Sequence, residues 1–450
     1  MSRLLYNRKS TCESLFWYFQ HYFQAAYATI PAMENLFLLV LSMLALDCFH
    51  SVHYAWMHIM SKFSDKALNS YYYTLNHGAF DHLKWAAVTV KPARSIIPAC
   101  WKDSAVFLSI DDTLVEKYGA KFQARSTLFD HASHNGSSYM KGHCFVSVVL
   151  HVPAAAKNGN VFYLSVPLQY RLWTKEETKL ELAANMVRTV MEPLSSCPQV
   201  LLLCDSWYPK KPVTGLIDEF QNLELICNVR VDTVLYDLPG ERTGKRGRPR
   251  VHGEKLTLES FSLEKPEESD YYMGHREVMT NLWKGRRVHA YVTASDPEKH
   301  NTFRLFLCTA QPESLRVEAG EQASKKIHQY GEWGMLPLGL YGIRWNHEVS
   351  YYETKAFWGF RNYRIRSVKG IERLTNLLCI SYTAMRLLPY YSDDFREYRG
   401  QSTQEVRYHV GEKIRMDIII SSLGRSIETA KINEALKKAF KVFMSSWHYS

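Results

Sequence analysis

Two apolar runs with the composition of buried strands each lead into an aspartate, and they constrain the fold of this chain more than any other feature. Residues 105–110 are apolar and β-rich and precede Asp111, and the wholly apolar run Val200–Cys204 precedes Asp205. A short, wholly apolar run is typical of a strand that is buried on both faces, in a sheet with helices on either side. The sequence therefore predicts an α/β fold with two carboxylates at strand ends, where side chains from neighbouring strands can converge.

The order of the surrounding elements narrows the fold further. Residues 144–152 and 161–170 give two more strand signals, residues 174–191 form a charged amphipathic stretch that predicts a helix, and Leu223–Val229 predicts a final strand. The resulting order is three strands, a helix, a strand, a helix and a strand. This is the order of a ribonuclease-H-like mixed sheet with flanking helices.

The segments around this pattern differ from it in composition. The first hundred residues are rich in aromatic residues and helix formers and predict a helical domain. Residues 231–335 carry short β-like pieces, 288–293 and 302–308, separated by Gly, Pro and charge, and predict a β-rich insertion. Helical stretches follow at residues 340–360 and 370–388. The predicted parts are a helical DNA-binding domain (1–101), a ribonuclease-H-like core in two parts (102–230 and 336–395), the β-rich insertion (231–335) and a helical C-terminal region (396–450) with a tail helix around 427–444.

Composition excludes several classes of protein. The formal charge of +10 favours a polyanionic partner such as nucleic acid. Nine scattered cysteines without a C-x-x-C pair indicate reduced thiols and argue against a zinc module. The longest apolar run, residues 36–46, is shorter than the roughly 20 residues of a membrane-spanning helix, and no signal peptide is evident. We therefore expect a cytoplasmic protein without a membrane partner.

The string YGIRWNHEVSYYETK carries four functional side chains at helical spacing. Tyr341, Arg344, Glu348 and Lys355 follow one another at intervals of three, four and seven residues. At about 100° per residue, the four positions fall within roughly 60° of one another on one helix face. Taken alone, such a quartet also fits a solvated polar face with one ion pair.

The two aspartates give this helix face a chemical meaning. If the helix packs across the edge of the sheet, Glu348 meets Asp111 and Asp205, and three carboxylates suit two hard divalent cations. Two such ions can activate the nucleophile and neutralise the leaving oxygen on opposite sides of one phosphorus. Arg344 and Lys355 would then contact phosphates. Mg²⁺ is the expected ion, with Mn²⁺ as the alternative.

The spacing Y-x2-R-x3-E-x6-K resembles the signature of the DDE insertion-sequence transposases that carry a β-rich insertion before their last acidic residue. The D-D-T at Asp111 resembles the D-x-T of that family, D-S-W-Y at Asp205 is similar to its second strand end, and residues 129–152 resemble its G-H-containing strand. The resemblance spans residues 110–388. It implies that Asp111, Asp205 and Glu348 are the metal-binding catalytic triad. Asp112 is an alternative for the first role, and Glu353 for the third.

The resemblance also implies DNA contacts. Tyr341, Arg344 and Lys355 would hold phosphates near the transposon end, and a flipped base would stack on an insertion-domain tryptophan. Trp283 and Trp333 are both candidates for that tryptophan, and each also fits a packing role.

Two further groups of residues are candidates for contact with DNA. The strip GKRGRPR, residues 244–250, fits a DNA groove or backbone, with a solvated loop as the alternative; its cationic residues are Lys245, Arg246, Arg248 and Arg250. A second group of histidines fits no standard zinc pattern and is interpreted as structural or DNA-facing; it comprises His131, His134 and His143.

The function implied by the resemblance is cut-and-paste transposition. The protein would cut double-stranded DNA at terminal inverted repeats and join the 3′-hydroxyls to target DNA, acting as a homodimer in a synaptic complex in the prokaryotic nucleoid. One alternative is a nuclease that hydrolyses DNA without joining it. Others are a domesticated, catalytically dead DNA-binding protein and a basic scaffold or membrane-associated protein with an accidental quartet. Terminal inverted repeats flanking the coding region would distinguish the transposase.

Overall fold

The computed structural model describes residues 10–130, 138–156, 158–240 and 250–427. Two compact units are found, one within Met1–Val88 and Glu353–Ser450 and the other within Thr89–Tyr352. We name the first the helical unit and the second the sheet unit. Helices from the two ends of the chain thus share one unit, whereas the predicted five-part division kept them apart; the DNA-binding role of the first hundred residues stays a prediction.

The sheet unit has the predicted strands and helices in the predicted order, together with the short strand Ser126–Phe129, which was not predicted. Its strands are β1 (Val106–Glu116), β2 (Ser126–Phe129), β3 (Tyr139–Ala155), β4 (Val161–Leu172), β5 (Val200–Cys204), β6 (Leu223–Val229), β7 (Leu235–Tyr236), β8 (Lys255–Leu256), β9 (Tyr272–Thr280), β10 (Arg287–Ala294) and β11 (Phe303–Cys308). Helices α1 to α6 precede these strands and are α1 (Thr11–Ala25), α2 (Ile30–Ala45), α3 (Val52–Ala55), α4 (Ser61–Phe63), α5 (Leu68–His77) and α6 (Lys84–Ser95). The later helices are α7 (Lys179–Leu194), α8 (Lys211–Thr214), α9 (Leu216–Glu219), α10 (Lys325–Glu332), α11 (Leu336–Tyr341), α12 (Trp345–Ala356), α13 (Val368–Tyr391) and α14 (Thr403–Ile427).

The strands of the described residues form one mixed sheet. Its order is β2-β3-β1-β5-β6-β11-β10-β9-β7-β8, and β4 pairs with β3. β1 is antiparallel to β3 and parallel to β5, which is parallel to β6. Every residue of β5 is buried, as expected for a strand in the middle of a covered sheet. The predicted mixed sheet with flanking helices is confirmed.

One boundary was predicted wrongly. The apolar run at residues 105–110 does not end the first strand, because β1 continues through Asp111 to Glu116. The reason is the length of β3, whose antiparallel register with β1 extends to the pair Glu116 and Gly142. Asp111 therefore lies within a strand, and its neighbour Asp112 points to the opposite face of the sheet.

The β-rich segment after residue 230 extends the sheet of the core. β11 pairs antiparallel with β6, β10 with β11, and β9 with β10. The predicted strand pieces at residues 288–293 and 302–308 correspond to β10 and β11. The insertion thus adds strands to the same sheet and does not form a sheet of its own.

Helix α13 is the centre of the helical unit. The Ser367 side chain begins it by accepting a hydrogen bond from the backbone N–H of Gly370 (3.0 Å), and most of its 24 residues are buried. It packs against α2 and α5.

The predicted tail helix lies outside the described residues beyond Ile427, where α14 ends. All nine cysteines are free, and no helix in the described ranges is long and apolar enough to cross a membrane.

A buried arginine ties α13 to the end of α5. The guanidinium of Arg373 donates hydrogen bonds to the carbonyls of Thr74 (3.3 Å) and Leu75 (3.2 Å) in the last turn of α5 and to the carbonyl of Phe80. It also lies 3.8 Å from the centroid of the Phe80 ring. The last carbonyls of a helix have no partner within the helix, so this cation satisfies groups that would otherwise be buried without hydrogen bonds.

We expect Arg373→Ala to lower the free energy of unfolding by about 3 kcal/mol, because it leaves buried carbonyls without donors. Arg396→Ala is the matched control, since its side chain is 68% exposed and its ion pair with Asp393 is long, 3.9 Å. That control should change the free energy by less than about 0.5 kcal/mol. Chemical denaturation of both variants measures the difference; equal effects would contradict the assigned role of Arg373.

Candidate active site

The guanidinium of Arg344 lies between two of the predicted catalytic carboxylates. Its Nη1 is 2.9 Å from Oδ2 of Asp111, and its Nη2 is 2.5 Å from Oε1 of Glu348. The side chains of Arg344 and Asp111 are each only 15% exposed, so water screens this ion pair weakly. Arg344 and Glu348 are one helical turn apart, and the structure brings both onto β1.

Asp205 reaches the same place from the neighbouring strand. β1 and β5 run parallel, and their register pairs Ser109 with Leu203, so two residues further along Asp111 and Asp205 stand side by side. The Asp205 charge contributes to raising the pKa of Asp111. Asp111 therefore has Asp205 as a neighbour on one side and is linked to Glu348 through the Arg344 guanidinium.

Burial is the main cause of an unusual pKa at Asp111. It raises the pKa of this carboxyl from 3.8 to about 7; the Arg344 guanidinium lowers it, and the Asp205 charge raises it again. A carboxylate poised near neutrality beside another acid is frequent at functional sites. Ionising the Asp111 carboxyl in the folded protein therefore costs more free energy than ionising an ordinary aspartate in water.

A chain of buried hydrogen bonds fixes α12 on β1 and β3. His347 Nδ1 is 2.8 Å from Ser109 Oγ, and His347 Nε2 is 2.6 Å from Ser147 Oγ. Ser147 Oγ is in turn 2.6 Å from the Tyr351 hydroxyl, which donates to the Asp111 carbonyl at 3.0 Å. These side chains are buried. Since His347 and Tyr351 are one turn apart, the chain sets both the position and the rotation of α12.

The last link sets the direction of two of these hydrogen bonds. The Tyr351 proton points at a carbonyl, so Ser147 donates to Tyr351 and His347 Nε2 donates to Ser147. Burial, together with His151 and Arg344, lowers the pKa of His347 well below its ordinary value, so the ring is neutral and its Nδ1 accepts from Ser109. Uncharged side chains therefore hold α12, next to the charged side chains of Arg344 and Glu348.

We expect Tyr351→Phe to lower the free energy of unfolding by about 1–2 kcal/mol, because Ser147 and the Asp111 carbonyl lose a buried partner. Tyr352→Phe, the adjacent residue with a side chain that is 64% exposed, should change it by less than about 0.5 kcal/mol. Denaturant unfolding of the two variants compares them; an equal response would mean that the chain does not anchor α12.

The two alternative acids belong to other networks. Asp112 accepts hydrogen bonds from Lys179 Nζ (2.9 Å), the Tyr208 hydroxyl (3.2 Å) and the Cys144 thiol (3.2 Å). This places it on the face of β1 opposite Asp111. Glu353, in the helical unit, accepts a hydrogen bond from the Tyr382 hydroxyl and forms an ion pair with Arg386 at 3.5 Å.

The predicted phosphate-binding residues fall at different places. Tyr341 ends α11, and its ring centroid lies 5.9 Å from the Arg344 guanidinium carbon and 5.0 Å from the Phe306 ring. A single 3-10 turn separates it from α12, so the predicted helix is not continuous. Lys355 lies in the last turn of α12. Arg250 is exposed, while Lys245, Arg246 and Arg248 lie outside the described residues.

The predicted stacking tryptophans lie against protein. Trp283 is 4% exposed, and its indole N–H donates to the Thr214 carbonyl at 3.0 Å. Trp333 is partly buried and packs beside Tyr330, with 5.3 Å between ring centroids. In this conformation the indole of Trp283 is not open to a base.

Of the predicted histidines, His143 is buried. Its Nε2 hydrogen-bonds the Gln123 carbonyl at 2.9 Å, and burial lowers its pKa to about 4. His131 and His134 lie outside the described residues.

The donor chemistry of the carboxylates fits a hard divalent cation, with one qualification. Oxygen atoms of Asp111 and Glu348 converge on one cationic group, the Arg344 guanidinium, and the Asp205 charge acts on Asp111. Across the described ranges, however, no three His, Cys, Asp or Glu side chains are close enough to hold an ion. An ion held by these acids therefore requires Arg344 to leave its position between them.

We expect the stability of the metal-free protein to fall as the pH rises from about 4 to about 7 and to level off above that. In this range the unfolded chain has lost the Asp111 proton while the folded protein still holds it, so each rise in pH favours the unfolded chain. Between pH 5 and 8, Asp111→Asn should reduce this loss by an amount on the order of 2 kcal/mol. Unfolding in EDTA at both pH values measures it; an unchanged pH dependence in the variant would contradict the raised pKa.

Several residues of the site were not predicted from the sequence. His347 and Tyr351 flank Glu348 in the string YGIRWNHEVSYYETK. Their spacing of four residues, which places both on one helix face, was the signal in the sequence. Trp207 follows Asp205 by two residues, and its backbone N–H donates to Asp205 Oδ1 at 3.0 Å. The sequence D-S-W-Y shows an aromatic residue two positions after a predicted catalytic acid, whereas the exposure of its side chain is seen only in the structure.

Comparison with known proteins agrees with this geometry. A family model described as DDE superfamily endonuclease matches residues 60–286, which is half of the chain and includes Asp111 and Asp205. Glu348 lies beyond the matched residues. A search of curated proteins finds no match to this chain.

Proposed function

The chain belongs to the DDE superfamily of endonucleases, with the ribonuclease-H-like fold of that superfamily, and from this premise we propose that it is a DNA transposase. It cleaves the ends of a mobile element and joins the 3′-hydroxyls to target DNA, as in the insertion-sequence group that the quartet of Tyr341, Arg344, Glu348 and Lys355 resembles. The observation that carries the proposal is the meeting of Asp111, Glu348 and Arg344, with Asp205 on the adjacent strand.

Asp111, Asp205 and Glu348 are the residues that would hold divalent cations, Mg²⁺ or Mn²⁺, two per site. Nucleases of this superfamily generally use divalent ions, which would activate water or a 3′-hydroxyl and neutralise the leaving oxygen. The chain itself contributes the geometry. The neutral hydrogen bonds of His347 and Tyr351 hold Glu348 opposite Asp111 without adding charge.

Arg344 supplies the positive charge that a phosphate needs. Its Nε is buried without a hydrogen bond to any described residue, so the guanidinium has a donor to spare. With divalent cations bound by the acids, Arg344 would be free to direct its planar guanidinium to a phosphate oxygen. The Tyr341 ring lies beside it, with its centroid 5.9 Å from the guanidinium carbon.

Double-stranded DNA, as terminal inverted repeats and as target, is the proposed partner. The formal charge of +10 supports a polyanionic ligand. The basic strip that includes Arg250 would add contacts to the groove or backbone, and holding two ends together implies a homodimer. These partners follow from the proposed reaction.

A nuclease that hydrolyses DNA without joining it is the second candidate function. It would use the same three carboxylates, and membership of the endonuclease superfamily is equally compatible with it.

A domesticated DNA-binding protein that no longer cuts DNA would gain nothing from acids that repel one another at a buried place, because each raises the free energy of ionising the next.

The test is cleavage and joining of DNA that carries the element's own ends, with Mg²⁺ and with Mn²⁺. We expect Glu348→Gln to reduce both reactions at least about 10³-fold while DNA binding persists, because one proposed metal ligand is lost. Glu353→Gln is the matched control, since this acid lies five residues further along the same helix and contacts Tyr382 and Arg386. It should retain activity within about threefold.

The outcomes separate the candidates. Cutting without joining would favour the nuclease, and binding without cutting by the wild-type protein would favour the domesticated protein. Full activity of Glu348→Gln together with inactivity of Glu353→Gln would mean that the third acid is Glu353.

A further inference from the structure

Two indoles and three lysine side chains gather beside Asp205 in the sheet unit. Trp173 and Lys175 come from the segment after β4, Lys179 begins α7, and Trp207 and Lys210 come from the turn after β5. We name these five residues the aromatic–lysine patch. None of them was predicted as a site residue.

The distances show that the patch is one cluster. Nζ of Lys179 is 4.7 Å and Nζ of Lys210 is 4.5 Å from the ring centroid of Trp207. Nζ of Lys175 and Nζ of Lys179 are each 5.7 Å from the ring centroid of Trp173. Lys179 lies within reach of both rings and therefore joins the two indoles into one cluster.

Two carboxylates hold the patch in place. Asp205 accepts a hydrogen bond from the backbone N–H of Trp207, which fixes the turn that carries the indole. Asp112 forms an ion pair with Lys179 at 2.9 Å. Burial lowers the pKa of Lys179, but Cys144 and Asp112 raise it by more, so this ammonium is charged at neutral pH.

The patch offers its ligand both charge and an aromatic surface. Trp207 is 37% exposed, and Lys175 and Lys210 are exposed. Lysines bind phosphates as point charges, and an indole face can stack on any unpaired base. A duplex hides its base faces, so an exposed indole is useful only where a strand is unpaired.

We propose that the aromatic–lysine patch binds a single-stranded DNA segment next to the phosphate that is cut, with a base on Trp207 and phosphates on Lys210 and Lys175. This inference rests on the proposed function, since it places the strand at Asp205. It assigns to Trp207 the stacking role that the sequence suggested for Trp283 or Trp333. It also explains why the indole is attached directly to the turn of a proposed catalytic acid.

The test is fluorescence anisotropy with labelled DNA in EDTA, so that binding is measured without cleavage. The probes are a blunt duplex and the same duplex with a single-stranded 3′ extension. We expect Trp207→Ala to weaken binding of the extended duplex about 10-fold and binding of the blunt duplex less than about twofold. Trp207→Phe keeps an aromatic face and should stay within about threefold of the wild-type protein.

Salt dependence tests the lysines separately. Lys210→Ala should reduce the slope of log K against log salt for the extended duplex by about 0.7, the value for one phosphate contact on a single strand. Tyr271→Ala and Lys299→Ala are matched controls, an exposed aromatic residue and an exposed lysine elsewhere in the sheet unit, and should leave affinity and slope unchanged.

Failure of this inference differs from failure of the proposed function. If the wild-type protein cuts and joins DNA but Trp207→Ala and Lys210→Ala bind the extended duplex as it does, the patch has no role in DNA binding and the transposase proposal stands. If the wild-type protein neither binds nor cuts either probe in any metal, the proposed function fails first. If Trp207→Ala does not fold, Lys210→Ala alone decides, and an unchanged salt slope overturns the inference.

Discussion

The ion pairs of Arg344 with Asp111 and Glu348 are the interaction on which the site depends. Asp111 is buried and stands beside Asp205, and without a cation these acids would repel one another at a place that water screens poorly. Arg344 supplies that cation at 2.9 and 2.5 Å. One guanidinium thus neutralises two acids in the folded chain, and in the proposed reaction metal ions would take over this role and leave Arg344 for a phosphate.

Hydrogen bonds between uncharged side chains hold α12 in place next to these charged groups. A charged anchor under α12 would change the pKa values above it, whereas the neutral chain through His347, Ser147 and Tyr351 fixes the helix with little effect on them. Around the site, Asp112 and Asp205 each hold a part of the aromatic–lysine patch. Asp205 therefore belongs to both arrangements, because its charge acts on Asp111 and its carboxylate holds the turn that carries Trp207.

Much of the core was predictable because buried strands and amphipathic helices leave direct patterns. Val200–Cys204 and Leu223–Val229 are strands with the predicted bounds. Arg344 forms ion pairs with Asp111 and Glu348, whereas the sequence argument placed it on a phosphate. The extension of β1 through Asp111 was missed because it depends on pairing with a 17-residue β3, which is a long-range property. The role of His347 was missed for the same reason, since its partners lie about 200 or more residues away in the chain. Trp283 was chosen for its position in the β-rich segment, which does not reveal that its indole is buried.

The most direct test of this account is a crystal structure of the protein with Mn²⁺ and a DNA end, using the anomalous signal of manganese to locate the ions. The account predicts anomalous peaks among Asp111, Asp205 and Glu348, with the Arg344 guanidinium moved off the carboxylates and onto a phosphate. Manganese bound elsewhere, with Arg344 still paired to Asp111 and Glu348 while DNA occupies the protein, would contradict it.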